Sequence, residues 1–513
     1  MRMQFPVATR FITPANSMLA EVALKTRGDA APVVVLGAGP AGLTTAYELS
    51  NLGIPCVVLE KDSVVGGLAR TVEHDGFRFD IGGHRFYTKV PLIAKIWQDI
   101  LGDDLLTRTR TSRIYYRSRF FRYPLEPIDA LRGLGIVETG RCVISFLKSC
   151  AFPEKSEADF ASWVINRFGR RLFEIFFKSY TEKVWGMDCR QIQADWAAQR
   201  IRGLSLATLL RDVLLPDTSR DVKSLIREFK YPRLGPGMLW SRMRDILNDR
   251  GVQVVLNAPV EAIHWNKDKV ISVEAGGKTY RGSNFISSLS IRDLFRFLTP
   301  SVAEHFLTTA KQLQYRDFIT VALMVPEKNL FPDNWIYVHD PSVRAGRVQN
   351  YGNWSPDMVP SPNVTCLGVE YFCRDSEEIW QTADSELVEL AQRELRQIGL
   401  LRREHMVISS AVVRMPKAYP VYDKLYRAAL SVVREFLTIV PNLQLVGRNG
   451  MHRYNNQDHS MLTGLLAARN IAGAHFDLWN LNADGAYLEE GLSLTNEQLS
   501  ALNMSQPFVP TPV

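Results

Sequence analysis

Residues 33–60 read VVVLGAGPAGLTTAYELSNLGIPCVVLE, and this stretch decides the fold. Two apolar runs, Val33–Leu36 and Cys56–Leu59, flank a glycine turn and a segment expected to be helical to about Leu52. Apolar runs of this length bounded by turn signals predict buried strands. The order strand, glycine turn, helix and strand, closed by Glu60, predicts a βαβ unit of a parallel sheet.

The glycine turn, GAGPAG, has the spacing of a dinucleotide-binding loop. Gly37 permits a tight turn, Gly39 lets the backbone approach a pyrophosphate, and Gly42 lets the helix pack close to the strand. The pyrophosphate would rest on the unpaired N–H groups at the helix N-terminus. Glu60 ends the second strand, where a ribose hydroxyl pair would sit. A glycine turn in an ordinary βαβ unit is the alternative interpretation.

A second glycine pair follows the acid, within KDSVVGGLART at residues 61–71. Together with the later Gly82-Gly83-His84, it resembles the FAD fold of the flavin amine oxidase superfamily. That superfamily includes protoporphyrinogen oxidases, phytoene desaturases and UDP-galactopyranose mutases. The resemblance implies that Gly66, Gly67 and Arg70 lie along the FAD diphosphate and ribityl chain. It also implies that the backbone at Gly82-Gly83 lies beside the isoalloxazine ring.

His84 follows that glycine pair directly. A generic histidine is more often structural than functional. In mutase-like sequences, however, the matching Gly-Gly-His holds its histidine against the flavin, and the resemblance implies this role for His84. A group at that position can tune the flavin N5.

The closing segment at residues 447–458 reads GRNGMHRYNNQD, after a strand at 443–446 and before a helix to about Ala472. It resembles the Gly-Arg-x-Gly-x-Tyr-Arg-Tyr motif of UDP-galactopyranose mutases. The residues that match it are Gly447, Arg448, Gly450, Arg453 and Tyr454. His452 replaces a tyrosine and Asn456 replaces an aspartate. The resemblance implies that Arg448 lies by the flavin and that Tyr454 and His452 face the substrate.

Together these motifs imply non-covalent FAD and no metal. The implied cofactor residues are Gly37, Gly39, Pro40, Ala41, Gly42, Glu60, Lys61, Gly66, Gly67, Leu68, Arg70, Gly82, Gly83, His84, Val260, Gly447, Arg448, Tyr454, Asn456 and Met461.

The substrate residues come from YTEKVWG at residues 180–186, which is close to the mutase motif Tyr-Thr-x-Lys-x-Trp-Gly. The resemblance implies that Tyr180 packs on a uracil and that Trp185 lines the sugar site. Arg200 and Arg202 are candidates to clamp a diphosphate, because guanidinium groups match phosphate oxygens. The register departs from the mutase pattern here, since Leu204 occupies the position aligned with the clamp arginine.

Two further stretches have open interpretations. Residues 112–125 predict a hairpin with Arg117-Ser118 near its turn, which is either a solvated edge or a basic wall facing an anionic substrate. Helices are predicted over Ile128–Cys150 and Glu157–Gly186, where the apolar spacing of the second indicates core packing. The first could make peripheral contact with a membrane.

The bulk composition narrows the function classes. The chain has 513 residues, enough for two or three domains, with 46% hydrophobic and 22% charged residues. The net charge of +7 fits an anionic small-molecule substrate or loose attraction to anionic lipid, and it is too diffuse to indicate nucleic-acid binding. Six scattered cysteines form no CxxC pair, and no run of about 20 apolar residues could span a membrane. A cytoplasmic location is expected, with the oligomeric state left open.

We therefore expect an α/β fold, namely a GR2-type Rossmann-like FAD-binding domain with an inserted α+β substrate domain. The expected segments are an N-terminal extension (1–31), three FAD-binding parts (32–111, 230–290 and 431–480), two substrate-domain parts (112–229 and 291–430) and a C-terminal tail (481–513).

Two functions follow from the resemblance. The first is a mutase-like flavoenzyme that acts on a nucleotide-activated sugar such as a UDP-sugar in surface glycan synthesis, with reduced flavin N5 as nucleophile. The second is an oxidoreductase of the protoporphyrinogen oxidase or amine oxidase kind, which takes a hydride from its substrate. The first needs an external reductant and the second an electron acceptor. A flavin-bearing binding protein without activity is the third interpretation.

Overall fold

The structure, a computed structural model, describes residues 31–125, 127–194, 228–328 and 330–481. The strands in chain order are β1 (Val33–Leu36), β2 (Cys56–Leu59), β3 (Thr71–His74), β4 (Phe77–Asp80), β5 (Leu105–Thr109), β6 (Ser112–Tyr116), β7 (Arg119–Arg122), β8 (Glu228–Pro232), β9 (Gln253–Val255), β10 (Val260–Trp265), β11 (Val270–Ala275), β12 (Lys278–Arg281), β13 (Asn284–Ser287), β14 (Leu298–Thr299), β15 (Tyr315–Val325), β16 (Trp335–Val338), β17 (Arg347–Asn350), β18 (Thr365–Cys373), β19 (Ser409–Pro420) and β20 (Leu443–Leu445).

The α-helices in chain order are α1 (Pro40–Asn51), α2 (Pro91–Leu101), α3 (Pro127–Leu134), α4 (Ile136–Ala151), α5 (Phe160–Phe168), α6 (Arg170–Leu172), α7 (Ser179–Trp185), α8 (Gly237–Asp249), α9 (Ile291–Phe297), α10 (Glu304–Gln312), α11 (Tyr351–Trp354), α12 (Glu378–Gln381), α13 (Asp384–Gln397), α14 (Tyr426–Ile439), α15 (Gly447–Gly450) and α16 (Gln457–Ile471). A π-helix, Phe173–Lys178, joins α6 to α7.

A five-stranded parallel sheet is built from distant parts of the chain, in the order β20-β13-β1-β2-β9. Every residue of β1 and β2 is buried, as expected for apolar strands covered on both faces. Two glycines allow close packing around α1. At Gly42, α1 packs on the turn after β1, where a Cβ would overlap the carbonyl oxygen of Gly37. At Gly464, α16 packs on α1, where a Cβ would overlap the carbonyl oxygen of Ala41. The predicted mixed α/β fold is confirmed.

A second, seven-stranded sheet has the order β19-β15-β18-β17-β16-β6-β7 and is mostly antiparallel. Strand β15, which pairs with β19 on one side and β18 on the other, is buried along its whole length of 11 residues. A four-stranded sheet, β12-β11-β10-β14, and the pairs β3-β4 and β5-β8 complete the described strands.

The predicted hairpin is present as β6 and β7, with Arg117 and Ser118 in left-handed conformations at its turn. Strand β7 lies at the edge of the seven-stranded sheet, and Arg117, Arg119 and Arg122 are exposed. This position fits the solvated-edge interpretation, and none of the three side chains lines the cavity described below.

The predicted helical blocks are more broken than expected. The first block divides into α3 and α4 at Gly135, and the second is interrupted at Gly169 and by the π-helix. Both glycines have a positive φ, at 78° and 82°, which ends a helix at little steric cost. Within the described ranges, no helix combines the length and apolarity needed to cross a bilayer.

Candidate flavin and substrate site

A cavity of about 930 Å³ lies between the parallel sheet and the seven-stranded sheet. Its wall includes Leu59 at the end of β2, the turn after β1, the turn after β20 and side chains of β16 and β17. Open parallel sheets place ligands outside the carboxyl ends of their strands, and this cavity follows that rule. Its volume is at the upper end of the range for ligand pockets.

Most of the predicted site residues come together in this wall. They are Gly37, Gly39, Pro40, Ala41, Glu60, Lys61, Gly67, Leu68, Gly83, His84, Tyr180, Trp185, Val260, Gly447, Arg448, Tyr454 and Asn456. Arg200 and Arg202 lie outside the described residues.

Two predicted contact residues are in the core instead, which corrects the prediction. His452 was expected to face the substrate, but it is fully buried, its Nε2 lies 3.1 Å from the carbonyl oxygen of Val421, and its ring packs edge-on against Tyr315. Met461 is also fully buried, and its sulfur accepts a hydrogen bond from the indole of Trp97 at 3.0 Å. Neither side chain lines the cavity.

Four other predicted cofactor residues, Gly42, Gly66, Arg70 and Gly82, do not line the cavity but support the residues that do. Gly42 serves the close packing described above. Gly66 donates its N–H to the carbonyl of Ala38 at 2.8 Å. Arg70 forms an ion pair with Asp62 at 2.7 Å, and Asp62 rather than Arg70 lines the cavity. Gly82 has a φ of 97° and turns the chain toward Gly83.

At the nucleotide end, Glu60 is nearly buried and fixes the turn around it. One carboxylate oxygen accepts the N–H of Ala38 at 2.7 Å, and the other accepts the N–H of Asp62 at 3.0 Å. Burial raises the pKa of Glu60, while these two hydrogen bonds oppose the shift. Gly39 and Gly67 face each other across this end, where a Cβ on Gly67 would come within 3.3 Å of the Gly39 Cα.

At the other end, the backbone of Gly83 approaches Gln349 so closely that a Cβ there would lie 2.9 Å from the amide nitrogen. His84 follows and lines the cavity. Burial, together with the positive charges of Arg448 and Arg347, lowers the pKa of His84 to about 3. The imidazole is therefore neutral at pH 7 and can hydrogen-bond without adding charge.

A buried network anchors the strand that leads to Gly83. The Asp80 carboxylate accepts hydrogen bonds from the hydroxyls of Tyr231 at 2.6 Å and Thr71 at 2.9 Å, and its carbonyl accepts one from Tyr351 at 2.7 Å. Burial raises the pKa of Asp80 to about 7, against the effect of the two hydroxyls. Tyr231 begins the sequence YPRLGPG at residues 231–237, so this segment has a structural role at Asp80.

Beyond His84 the cavity opens into a part that we call the arginine–tyrosine chamber, defined by Tyr180, Arg347, Tyr419, Arg448 and Tyr454. The guanidinium of Arg347 forms an ion pair with the fully buried Glu370, and its Nη2 donates to the Tyr419 hydroxyl at 3.1 Å. Burial alone would lower the pKa of Arg347, but the Glu370 carboxylate together with Tyr419, Tyr180 and Tyr454 raises it well above its ordinary value.

Arg448 contacts both stacked tyrosines of the chamber. The Tyr419 and Tyr454 rings lie 5.4 Å apart and 17° from parallel, and the guanidinium is 5.3 Å and 4.9 Å from their centroids. It donates to the carbonyls of Asn455 at 2.9 Å and Ala418 at 3.1 Å. No carboxylate in the described part of the chain forms an ion pair with Arg448, so its charge is available to an anion.

The motif at residues 180–186 forms α7. Tyr180 stacks on His339 with the ring centroids 4.6 Å apart, and the ring centroids of Trp185 and Tyr454 are 6.3 Å apart. Lys183 between them points away from the cavity, and its ammonium shares its three N–H groups among four backbone carbonyls, with N–O distances of 2.9 to 3.0 Å. These belong to Val338, Asp340, Val343 and Ala345. The lysine of the motif therefore holds α7 against the loop after β16.

Two residues of the arginine–tyrosine chamber, Arg347 and Tyr419, were not predicted, and neither were the wall residues Tyr337 and Gln349. These residues lie on β16, β17 and β19, and only the sheet order brings these strands to the cavity. The alternation of Arg347 and Gln349, two polar residues on one face of a short strand, was the available signal.

The residues present fit FAD. The glycine-lined turn leaves room for a diphosphate, and the N-termini of α1 and α16 both reach the cavity wall and favour negative charge. The amide atoms of Gln457 and the Oδ1 of Asn449 are buried in that wall without a partner among the described residues. A bound group with hydrogen-bonding atoms would satisfy them.

Comparison with known proteins agrees with this site. A family model described as flavin containing amine oxidoreductase matches residues 40–472. The chain belongs to the flavin-containing amine oxidoreductase family, so it is a flavoenzyme of that superfamily, and the family implies FAD as cofactor.

Curated relatives match over short stretches. Inactive all-trans-retinol 13,14-reductase of Danio rerio is 46% identical over 54 residues, 10% of this chain and 9% of that protein. Phytoene desaturase of Cercospora nicotianae is 41% identical over 49 residues, 10% and 8% of the two chains. Protoporphyrinogen oxidase 2, chloroplastic/mitochondrial, of Arabidopsis thaliana is 35% identical over 68 residues, 13% of each. The chain thus matches only about a tenth of the length of these relatives.

Solved structures match over nearly the whole fold. A reduced UDP-galactopyranose mutase has a TM-score of 0.78 and 21% identity, covering 91% of this chain and 100% of that one. Wild-type putrescine oxidase bound to putrescine has a TM-score of 0.60 and 16% identity, covering 87% and 99%. At these identities the likeness shows the fold.

Proposed function

We propose that the protein binds FAD non-covalently in a GR2-type Rossmann-like domain and acts on a nucleotide-activated sugar, such as a UDP-sugar, in surface glycan synthesis. The observation that carries this proposal is the arginine–tyrosine chamber. A diphosphate flanked by a base and a sugar needs cations for its phosphates and flat side chains for its rings. The chamber supplies both in one continuous cavity with the proposed FAD site.

Each chamber residue has a role in this proposal. Arg347 and Arg448 hold the substrate diphosphate and the pyrimidine side of the flavin, because guanidinium groups bind planar and tetrahedral anions. Tyr180 stacks on the base, while Trp185 and His84 orient the sugar. Burial raises the pKa of Tyr419, so this tyrosine stays a neutral donor.

When bound, reduced FAD supplies a nucleophilic N5, and oxidised FAD supplies a hydride acceptor. The protein orients the anomeric carbon of the sugar and excludes water from the closed end of the cavity. An external reductant keeps the cofactor in the state that the mutase-like reaction needs.

The alternative is an oxidoreductase that removes a hydride from its substrate and passes electrons to an acceptor. The curated relatives favour it, since a phytoene desaturase and a protoporphyrinogen oxidase are among them. The apolar side chains of Trp335, Trp354 and Phe372 in the cavity wall would suit such a substrate.

Ligand titration of the purified yellow holoprotein tests the proposal. The flavin is reduced anaerobically with dithionite, UDP and UDP-galactopyranose are titrated in turn, and the flavin spectrum is followed. We expect saturable binding of both ligands and a loss of affinity in Tyr180→Ala. The exposed Tyr87, which also lines the cavity, provides the matched control Tyr87→Ala.

Absence of UDP binding in both redox states, together with rapid reoxidation by dioxygen or a quinone, would overturn the proposal in favour of the oxidoreductase. Acid precipitation tests separately whether FAD is bound non-covalently. Non-covalent FAD appears in the supernatant, whereas flavin that stays with the pellet contradicts non-covalent binding.

A further inference from the structure

Helix α4 packs on the protein through its polar and small side chains. Cys142 is buried, Glu138 forms an ion pair with Arg171, and the hydroxyl of Ser145 accepts the backbone N–H of Arg171 at 3.0 Å. A surface helix ordinarily buries its apolar face and shows its polar face to water. The packed face of α4 has the opposite character.

The apolar side chains of α4 are on the outside. Ile136 is 93% exposed, Val137 71%, Ile144 68% and Leu147 60%, and Phe152, just past the helix, is 79% exposed. At 100° per residue the four helical positions fall within an arc of roughly 100°, so they form one stripe. A contiguous exposed apolar stripe marks a surface that another phase or molecule covers. We call these five residues the apolar stripe.

Positive charge lies along one edge of the apolar stripe. Arg141 and Lys148 are both exposed and follow the stripe at the next helical positions, and Lys155 is exposed beyond the helix. The only acidic side chain of α4, Glu138, is mostly buried and forms ion pairs with Arg171 and, at 3.6 Å, with Arg141. The exposed face therefore combines apolar residues with cations and without a carboxylate.

We propose that α4 is a membrane-contacting helix that lies in the plane of an anionic bilayer. The apolar stripe would enter the boundary between headgroups and acyl chains, and the cationic edge would meet lipid phosphates. Long basic side chains suit this position, because their stems stay in the apolar layer while their charged ends reach the headgroups. This arrangement does not depend on the substrate proposed above.

Vesicle flotation of the full-length holoprotein tests the proposal. Vesicles of phosphatidylcholine alone are compared with vesicles of equal parts phosphatidylcholine and phosphatidylglycerol, at low salt. We expect binding to the anionic vesicles that weakens as salt is added. Ile144→Ser and Leu147→Ser should each lower the partition coefficient by about tenfold, because each removes one aliphatic side chain that the bilayer would bury. Met406→Ser changes an exposed apolar residue elsewhere and should leave binding unchanged.

Flavin content and thermal unfolding of each variant show that the fold is intact, which is expected because the replaced side chains are exposed. Absence of binding to either vesicle would overturn the proposal. Equal binding of wild type and the Ile144→Ser/Leu147→Ser double variant would also overturn it. A concentration-dependent dimer in light scattering that this double variant abolishes, without any lipid binding, would assign the stripe to a second copy of the chain instead.

Discussion

Replacing Arg347 with methionine should separate its structural role from its role in ligand binding. Its partner Glu370 is fully buried, and after the change the only hydrogen bond left to the Glu370 carboxylate among the described residues is from Gln349 at 2.8 Å. Removing one partner of a buried ion pair leaves an uncompensated charge and costs about 3–5 kcal/mol. That is a large part of a typical folding free energy of about 5–15 kcal/mol. We therefore expect a marked loss of stability in Arg347→Met.

The double variant Arg347→Met/Glu370→Gln removes both charges and should recover most of that loss. Stability is measured by urea unfolding, with flavin fluorescence followed alongside. The matched control is Arg344→Met, which changes a half-exposed arginine 3.8 Å from Glu377 and should cost less than about 1 kcal/mol.

The stable double variant then reports on function. Loss of charge-assisted hydrogen bonds worth about 1.5–3 kcal/mol predicts UDP binding weaker by about 10- to 100-fold. If Arg347→Met is as stable as Arg344→Met, the reasoning on the buried pair is refuted. If the double variant binds UDP as tightly as wild type, Arg347 does not contact the phosphates.

Three more predictions concern the frame of the site. Gly42→Ala places a Cβ on the carbonyl oxygen of Gly37 and should abolish FAD retention, measured by flavin absorbance of the purified protein. The control is Gly53→Ala, where nothing lies within 4 Å of the added Cβ. This variant should retain FAD, although its positive φ causes local strain. Asp80 has a folded pKa of about 7, above its unfolded value of about 3.9, so its contribution to stability is complete below about pH 4 and is lost as the pH rises through 7. Asp80→Asn should remove this pH-dependent loss of unfolding free energy, which is up to about 4 kcal/mol. If the pH profile of the urea midpoints is the same in Asp80→Asn as in the wild type, the raised pKa of Asp80 is contradicted. Lys183→Met leaves four carbonyls without their donor and should lower the thermal midpoint and weaken UDP binding, while the exposed Lys178→Met should change neither.

The nucleotide-binding half of the fold could be predicted because its signals are local. The predicted strands Val33–Leu36 and Cys56–Leu59 coincide with β1 and β2, and the predicted helix end at Leu52 is one residue beyond α1. Glycine turns and apolar runs determine these elements within about 30 residues of chain. No long-range contact is needed to recognise them.

The chamber could be predicted only in part, because it depends on long-range register. Arg347 meets Glu370 across β17 and β18, and Tyr419 at the end of β19, and no local pattern indicates either pairing. His452 shows that a local motif can also give the wrong location for a side chain. Its motif places it among substrate residues, but its backbone has a φ of 49°, and the side chain enters the core beside Tyr315.

The most direct measurement is turnover of UDP-galactopyranose by the holoprotein with its flavin either oxidised or fully reduced, without dioxygen. The product is analysed by chromatography for an isomeric UDP-sugar. We expect isomer formation only with reduced flavin, with no net consumption of reductant, and loss of turnover in Arg347→Met/Glu370→Gln. Absence of an isomer in both redox states, with UDP-sugars failing to bind, would contradict it.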